Sequence, residues 1–151
     1  MLLGLAGATG FNLEQLIAEK RLSKPPKSIP LLIGDDGTGL AAPALAWLHV
    51  NCGTTCHNPN SNAKAWATGL FLRLDPPLLD GRAVNEFDTL KRTIGVVAVA
   101  PAWTGKTRIT PHDPAHSLLF ALITHSGKSQ QMPPIASSVV DATDVRLVLR
   151  K

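Results

Sequence analysis

The chain has 151 residues, a length that suits one domain with a buried core. Its net charge is only +4, and the Lys and Arg residues are scattered, with no basic run longer than a pair such as Lys20-Arg21 or Lys91-Arg92. This distribution speaks against nucleic-acid binding, although a basic surface can still attract an acidic partner. The 12 glycines and 12 prolines predict many turns, and no segment is apolar for long enough to span a membrane.

The first 40 residues are predicted to form an appendage of one helix and a linker. The apolar stretch from Met1 to Ala8 has no positive charge and is shorter than an ordinary export signal, so no signal is predicted here. Asn12 is a good N-cap with Gln15 at the N3 position, and this helix is expected to run to about Leu22. The Pro and Gly residues within 25–39 then predict a long connector.

A second helix is predicted over about residues 40–50, and it leads into the segment that carries both cysteines. Apolar residues recur there at helical spacing, and Pro43 is tolerated in the first turn. The sequence that follows is Asn51-Cys52-Gly53-Thr54-Thr55-Cys56-His57.

Cys52, Cys56 and His57 are the candidate site residues of this segment. Two cysteines followed at once by a histidine are typical of covalent haem attachment, in which the thiols bond to the haem and the histidine binds the iron. The usual spacing between the cysteines is two residues, whereas three separate them here. Residues four apart share a helix face, so both thiols can meet one porphyrin edge, and Gly53 makes the extra residue easier to absorb.

Two other interpretations of the segment are open. Residues four apart on a helix have Cα atoms roughly 6 Å apart, so Cys52 and Cys56 can form a local disulfide. The chain would then be a non-enzymatic extracellular binding or accessory module with Met132 in its core. A zinc site that adds His49 and His57 to the cysteines is the other alternative, although zinc sites usually take ligands from two separated pairs.

The middle of the chain, about 63–110, predicts a small β element. Leucines alternate with other residues over 69–75, which indicates a strand, and a short helix is expected over 85–92. The apolar run 95–100 is predicted to pair with 108–110 as a β-hairpin.

The loop of that hairpin also fits a relaxed phosphate-binding pattern that ends in Gly105-Lys106-Thr107. Such a loop must lead into a helix whose first amides hold the phosphates. Pro111 and Pro114 follow instead, so a nucleotide site is disfavoured.

The last third predicts two helices around a loop that carries Met132. Asp113 and Pro114 are expected to start the first helix, which ends before Gly127, and the second is expected over about 142–150. Met132 precedes two prolines in a stiff loop that holds its thioether in one direction, which suits an iron ligand. The remaining histidines of this region are expected to be surface or capping groups, although one could replace Met132: His112, His116 and His125.

The order of these features resembles a class I c-type cytochrome, particularly the haem domains at the ends of larger secreted bacterial proteins. The resemblance is strongest over 45–58 and 112–150, where the Cys-Cys-His segment, the Asp-Pro-x-x-Ser-Leu-Leu helix and the Met-Pro-Pro loop lie. It implies a mainly α, cytochrome c-like helical haem domain over 41–151, with the β-hairpin in an insertion at about 63–110. It also implies one covalent haem c on Cys52 and Cys56, with His57 and Met132 as iron ligands.

The function that the resemblance implies is one-electron transfer rather than catalysis, with a redox protein or a fused enzyme domain as partner. Haem is attached to cysteines outside the bacterial cytoplasm. A periplasmic or extracellular location is therefore expected, with this chain as the tail of a longer secreted protein.

Overall fold

The computed structural model describes residues 13–25, 32–127, 130–134 and 140, and over these residues the chain is mainly helical. The α-helices are α1 (Leu13–Ala18), α2 (Ala41–Leu48), α3 (Asp88–Lys91) and α4 (Leu118–Thr124), and a π-helix, His49–Gly53, continues α2. Short 3-10 turns occupy Trp66–Thr68, Pro76–Leu78, Val84–Glu86, Pro101–Trp103 and Pro114–His116. β structure within the same ranges is limited to isolated bridges. The prediction of a mainly α chain is confirmed, and no described helix is long and apolar enough to cross a membrane.

Helix α2 forms where the sequence predicts it and connects two parts of the core. Its buried residues recur at helical spacing, and Pro43 lies exposed in the first turn, where its missing N–H costs nothing. The first cluster contains Ala41, Leu45, Leu74, Leu79, Val84 and Phe87. The second contains Leu48, Cys52, Leu72, Leu119 and Ile123. Because α2 contributes to both clusters, the cysteine segment at its end is anchored to α4 as well.

The strand predicted over 69–75 does not form. Its alternation does bury Leu72 and Leu74 and expose Arg73, but no neighbouring strand pairs with it. One of its backbone amides binds the cysteine segment instead, and another binds His49, which precedes that segment. The Leu72 N–H donates to the His57 carbonyl at 2.8 Å, and the Leu74 N–H donates to His49 Nδ1 at 2.9 Å.

The predicted hairpin of 95–100 and 108–110 is reduced to bridges. Val97 pairs antiparallel with Thr107, and Ile94 pairs parallel with Ile109. The Ala98 N–H donates to the Lys106 carbonyl, and the Arg108 N–H to the Val96 carbonyl, each at 2.8 Å. Gly95 at φ +70° and the 3-10 turn that begins at Pro101 keep the extended run short on both sides.

Several predicted helix ends are wrong, and each has a local cause. Helix α1 ends at Ala18 rather than near Leu22 because Lys20 adopts φ +54° and the Arg21 N–H donates to the Leu16 carbonyl, a Schellman-type end. The helix expected over 85–92 is split into the 3-10 turn Val84–Glu86 and α3.

The start of α4 also differs from the prediction. The Asp113 side chain accepts the His116 N–H, but it caps only the 3-10 turn Pro114–His116. Ser117 is extended, so α4 begins at Leu118. The predicted N-cap Asn12 and the predicted helix over 142–150 lie outside the described residues.

Candidate functional site: a cavity lined by both cysteines, His57 and Met132

The structure brings all four predicted site residues to one cavity of about 270 Å³. Cys52 comes from the π-helix, Cys56 and His57 come from the turn that follows it, and Met132 comes from the loop after α4. The walls are largely apolar and include Leu70, Leu72, Ala98, Val99, Leu118, Leu119, Leu122 and Ile123. An apolar cavity with a few converging donor atoms is the usual form of a cofactor or ligand site.

The π-helix accommodates the third residue between the cysteines. The Thr54 N–H donates to the His49 carbonyl at 2.9 Å, and the His57 N–H donates to the Cys52 carbonyl at 2.8 Å. Each of these bonds spans five residues, one more than an α-helical bond, so the backbone widens by one residue at this point. As a result, Cys52, Cys56 and His57 all line the cavity despite the unusual spacing.

Gly53 permits this arrangement for a reason other than the predicted one. Its backbone is not in the left-handed region, so the glycine is not needed for its conformational freedom. The extended segment instead lies directly against it. A Cβ on Gly53 would be 2.5 Å from the Arg73 nitrogen and from the Leu72 carbonyl carbon. Glycine is therefore required by the close approach of two backbones.

His57 is oriented by the carbonyl of Leu70. Its Nδ1 lies 3.2 Å from the Leu70 oxygen, so Nδ1–H is the donor and Nε2 is left with its lone pair. Histidines that bind metals commonly donate their other ring nitrogen in this way. Burial lowers the pKa of His57, the Leu70 hydrogen bond partly offsets that effect, and the Arg108 charge lowers the pKa further. The ring is therefore neutral at physiological pH and able to act as a ligand.

The two cysteines are free thiols that differ in exposure. Cys52 is buried, and Cys56 is half-buried. Burial, with a smaller contribution from Cys56, raises the pKa of the Cys52 thiol to about 12. Cys52 is therefore protonated at neutral pH, and the structure contains no Cys52–Cys56 disulfide.

Met132 is fixed at the cavity by both its backbone and its side chain. Its N–H donates to the Leu122 carbonyl of α4 at 3.0 Å. Its half-buried side chain packs against the cluster that contains Cys52 and Leu119. The loop that carries Met132 is thus attached to the helix that forms one wall.

Arg108 is a cavity residue with a buried charge whose role the sequence did not indicate. Its guanidinium donates to the backbone carbonyls of Thr68, Gly69 and Arg92, at 3.4 Å for Gly69 and 2.6 Å for Arg92. Burial and the nearby Arg92 charge lower its pKa. Because these partners are distant in sequence and are backbone atoms, no local pattern could have indicated the role.

The other predicted ligand sets are not assembled. His49 is buried outside the cavity lining, and its Nδ1 accepts the Leu74 N–H, so it does not complete a zinc site with the cysteines. No three His, Cys, Asp or Glu side chains are grouped to hold a metal ion in the part of the chain that the structure describes. None of the three later histidines lines the cavity. His112 and His116 are exposed, and the half-buried His125 has a buried Nδ1 with no hydrogen-bond partner among the described residues.

The phosphate-loop pattern has no phosphate-loop structure. Pro101–Trp103 is a 3-10 turn, and no α-helix begins between Lys106 and Leu118. Ala100 and Trp103 line the cavity instead. This loop is therefore part of the same site as the cysteines.

Comparison with family models, with curated proteins and with solved structures finds no match to this chain. The case for its function therefore rests on the geometry of the cavity.

Proposed function

We propose that this chain is a haem-binding electron-transfer domain of the c-type cytochrome kind. Cys52 and Cys56 would hold one haem c covalently, and His57 and Met132 would bind its iron. The observation that carries the proposal is that the three side chains of the cysteine segment and Met132, from the distant loop after α4, line one apolar cavity. We propose the cytochrome c fold and the roles of these four residues together with this function.

The chemistry of the donor set fits the group. Two thiols, one imidazole with a free Nε2 and one thioether are the side chains that c-type attachment and His/Met ligation use. The neutral state of His57 leaves a lone pair for iron, and the largely apolar walls suit the apolar faces of a porphyrin. When bound, the haem would supply a one-electron couple at its iron.

The residues of the chain hold these donors in place. The Leu70 carbonyl sets the orientation of His57, and the Leu122 carbonyl fixes the backbone of Met132. Ligands that are held in this way need to move little when the charge at the site changes, which suits an electron carrier. With His57 and Met132 as ligands, the methionine sulfur would favour the reduced state of the haem relative to a second nitrogen ligand.

The partner in this proposal is a redox protein or a fused enzyme domain, and the chain itself is not a catalyst. In this proposal the protein works in the bacterial periplasm or outside the cell, because that is where haem is attached to cysteines.

The test is the absorption spectrum of the protein expressed with an export signal and a haem-maturation system. We expect sharp reduced Soret and α bands that survive acid-acetone extraction. The matched control is the double variant Cys52→Ser, Cys56→Ser, which keeps the size of both side chains, and from which extraction should remove all haem. A wild-type protein that folds but carries no haem would refute the proposal.

A further inference from the structure

With three residues between the cysteines, the backbone after Cys52 must accommodate one residue more than the usual motif. The hydrogen bond of the His57 N–H shows how it does so. In an α-helical continuation, the His57 N–H would bind the Gly53 carbonyl, four residues earlier. It binds the Cys52 carbonyl instead, at 2.8 Å. One residue corresponds to roughly 100° of rotation about a helix axis, so this choice of partner decides which way His57 faces.

The Asn58 side chain occupies the Gly53 and Thr54 carbonyls, which the N–H groups of His57 and Asn58 would bind in an α-helical continuation, and also the Thr55 carbonyl, for which Pro59 has no N–H to offer. Its Nδ2 donates to the carbonyls of Gly53, Thr54 and Thr55, at 3.1, 3.3 and 3.3 Å. Its Oδ1 accepts the Asn60 N–H at 3.0 Å. Asn58 is only 4% exposed, and its bond to the Gly53 carbonyl is buried, where an unpaired carbonyl is costly, whereas its bonds to Thr54 and Thr55 are partly buried.

Together with backbone hydrogen bonds, those of Asn58 give every backbone carbonyl of the segment from Cys52 to His57 a donor. The Cys52 carbonyl accepts from Cys56 and His57, the Cys56 carbonyl accepts from Ala65, and the His57 carbonyl accepts from Leu72. Every carbonyl from Cys52 to His57 therefore has a donor, and the two N–H groups of the Asn58 amide, one of them shared, serve three of these carbonyls.

We infer that Asn58 is a positioning residue. It keeps the segment in the wide turn, in which the His57 N–H binds the Cys52 carbonyl five residues earlier, so that His57 and both thiols face the cavity. The inference rests on the proposed function, because the positioned groups are those that would hold the haem. It assigns Asn58 no contact with haem, since Asn58 does not line the cavity. Asn58 thus stabilises the turn that accommodates the third residue between the cysteines.

The variant that tests the inference is Asn58→Asp, which keeps the shape and Oδ1 but replaces the donor with a second acceptor. The matched control is Asn60→Asp. Asn60 is exposed, and its Oδ1 accepts the Asn62 N–H at 2.9 Å, a bond that aspartate retains. Asn58→Ser is a milder second variant because a hydroxyl offers one donor in place of the amide's two.

The first readout needs no haem. Amide hydrogen exchange of His57 in the apoprotein is compared with that of Leu48, which reports the general stability of the core. Losing about one net hydrogen bond corresponds to roughly five- to tenfold faster local opening. We expect that acceleration for His57 and not for Leu48 in the Asn58 variants, and no change in Asn60→Asp.

The second readout is made on the haem-loaded protein. In Asn58→Asp and Asn58→Ser we expect a smaller fraction of chains with extraction-resistant haem and a mixed set of ligand bands, whereas Asn60→Asp should match the wild type. Unchanged His57 exchange in a folded Asn58 variant would overturn the inference, as would loss of folding in every Asn58 variant. A wild type without haem would refute the proposed function, while the exchange readout would still decide the role of Asn58.

Discussion

Replacement of Gly53 by alanine tests the contact that shapes the cysteine segment. Alanine is favoured over glycine in a helix by about 1 kcal/mol, so the local preference predicts stabilisation. The new Cβ would meet the backbone of Leu72 and Arg73 at 2.5 Å, and backbone cannot turn aside as a flexible side chain does. Overpacking of this kind costs about 1–3 kcal/mol, and a backbone contact belongs at the upper end. We therefore expect Gly53→Ala to lose about 2 kcal/mol of unfolding free energy, the clash less the helical gain.

The measurement is urea unfolding of the apoprotein followed by circular dichroism. Thr55→Ala is the control, because Thr55 is exposed in the same segment and its removal should change the unfolding free energy by less than about 0.5 kcal/mol. Amide exchange of Leu72 in Gly53→Ala should accelerate together with the loss of stability, since the clash pushes that segment away. A variant as stable as the wild type, or more stable, would show that helix preference outweighs the contact and that the reasoning is wrong.

Three further predictions concern the ligand, the buried histidines and the core. Met132→Ala should abolish the sulfur-to-iron charge-transfer band of the loaded protein, whereas a loss of only about 2–5 kcal/mol in unfolding free energy with the band intact would make Met132 a core residue alone. Burial lowers the pKa of both His49 and His57 below the usual 6.5, so below pH 6.5 the unfolded chain takes up protons that the folded apoprotein does not. The unfolding free energy should therefore fall as the pH drops below 6.5, and His49→Gln should flatten a urea-unfolding series across that range; a pH-independent wild type would contradict this. Phe87 is 1% exposed, and Phe87→Ala should cost about 3–5 kcal/mol in urea unfolding, against less than about 0.5 kcal/mol for Val99→Ala at 64% exposure; equal effects would contradict the assignment of the core.

The sequence was sufficient wherever the cause of a structure is local. Helix α2 follows from apolar spacing with Pro43 in the first turn, and it was predicted nearly to its ends. The chemistry of Cys52, Cys56, His57 and Met132 was visible as residue types in a characteristic order, and these four side chains do share one cavity. Their role as haem ligands stays a prediction.

The sequence was insufficient wherever a distant backbone is the cause. The π-helix depends on the contact between Gly53 and the segment at 72–73, which no spacing rule anticipates. The alternation over 69–75 does bury Leu72 and Leu74, but a strand also needs a partner strand, and this segment binds the His49 ring and the His57 carbonyl instead. The role of Arg108 could not be predicted for the same reason, since its guanidinium binds distant backbone carbonyls rather than side chains.

The extended segment from Leu70 to Leu74 explains why the unusual spacing and the middle of the chain belong together. The Leu70 carbonyl orients the His57 ring, and the Leu72 N–H donates to the His57 carbonyl. The Leu74 N–H donates to the ring of His49, three residues before Cys52. The same segment lies against Gly53, at the centre of the wide turn. Residues 63–110 therefore supply both the support of His57 and one wall of the cavity. A chain with two residues between its cysteines would not need this support in the same place, so the third residue and the segment that packs on it form one structural unit.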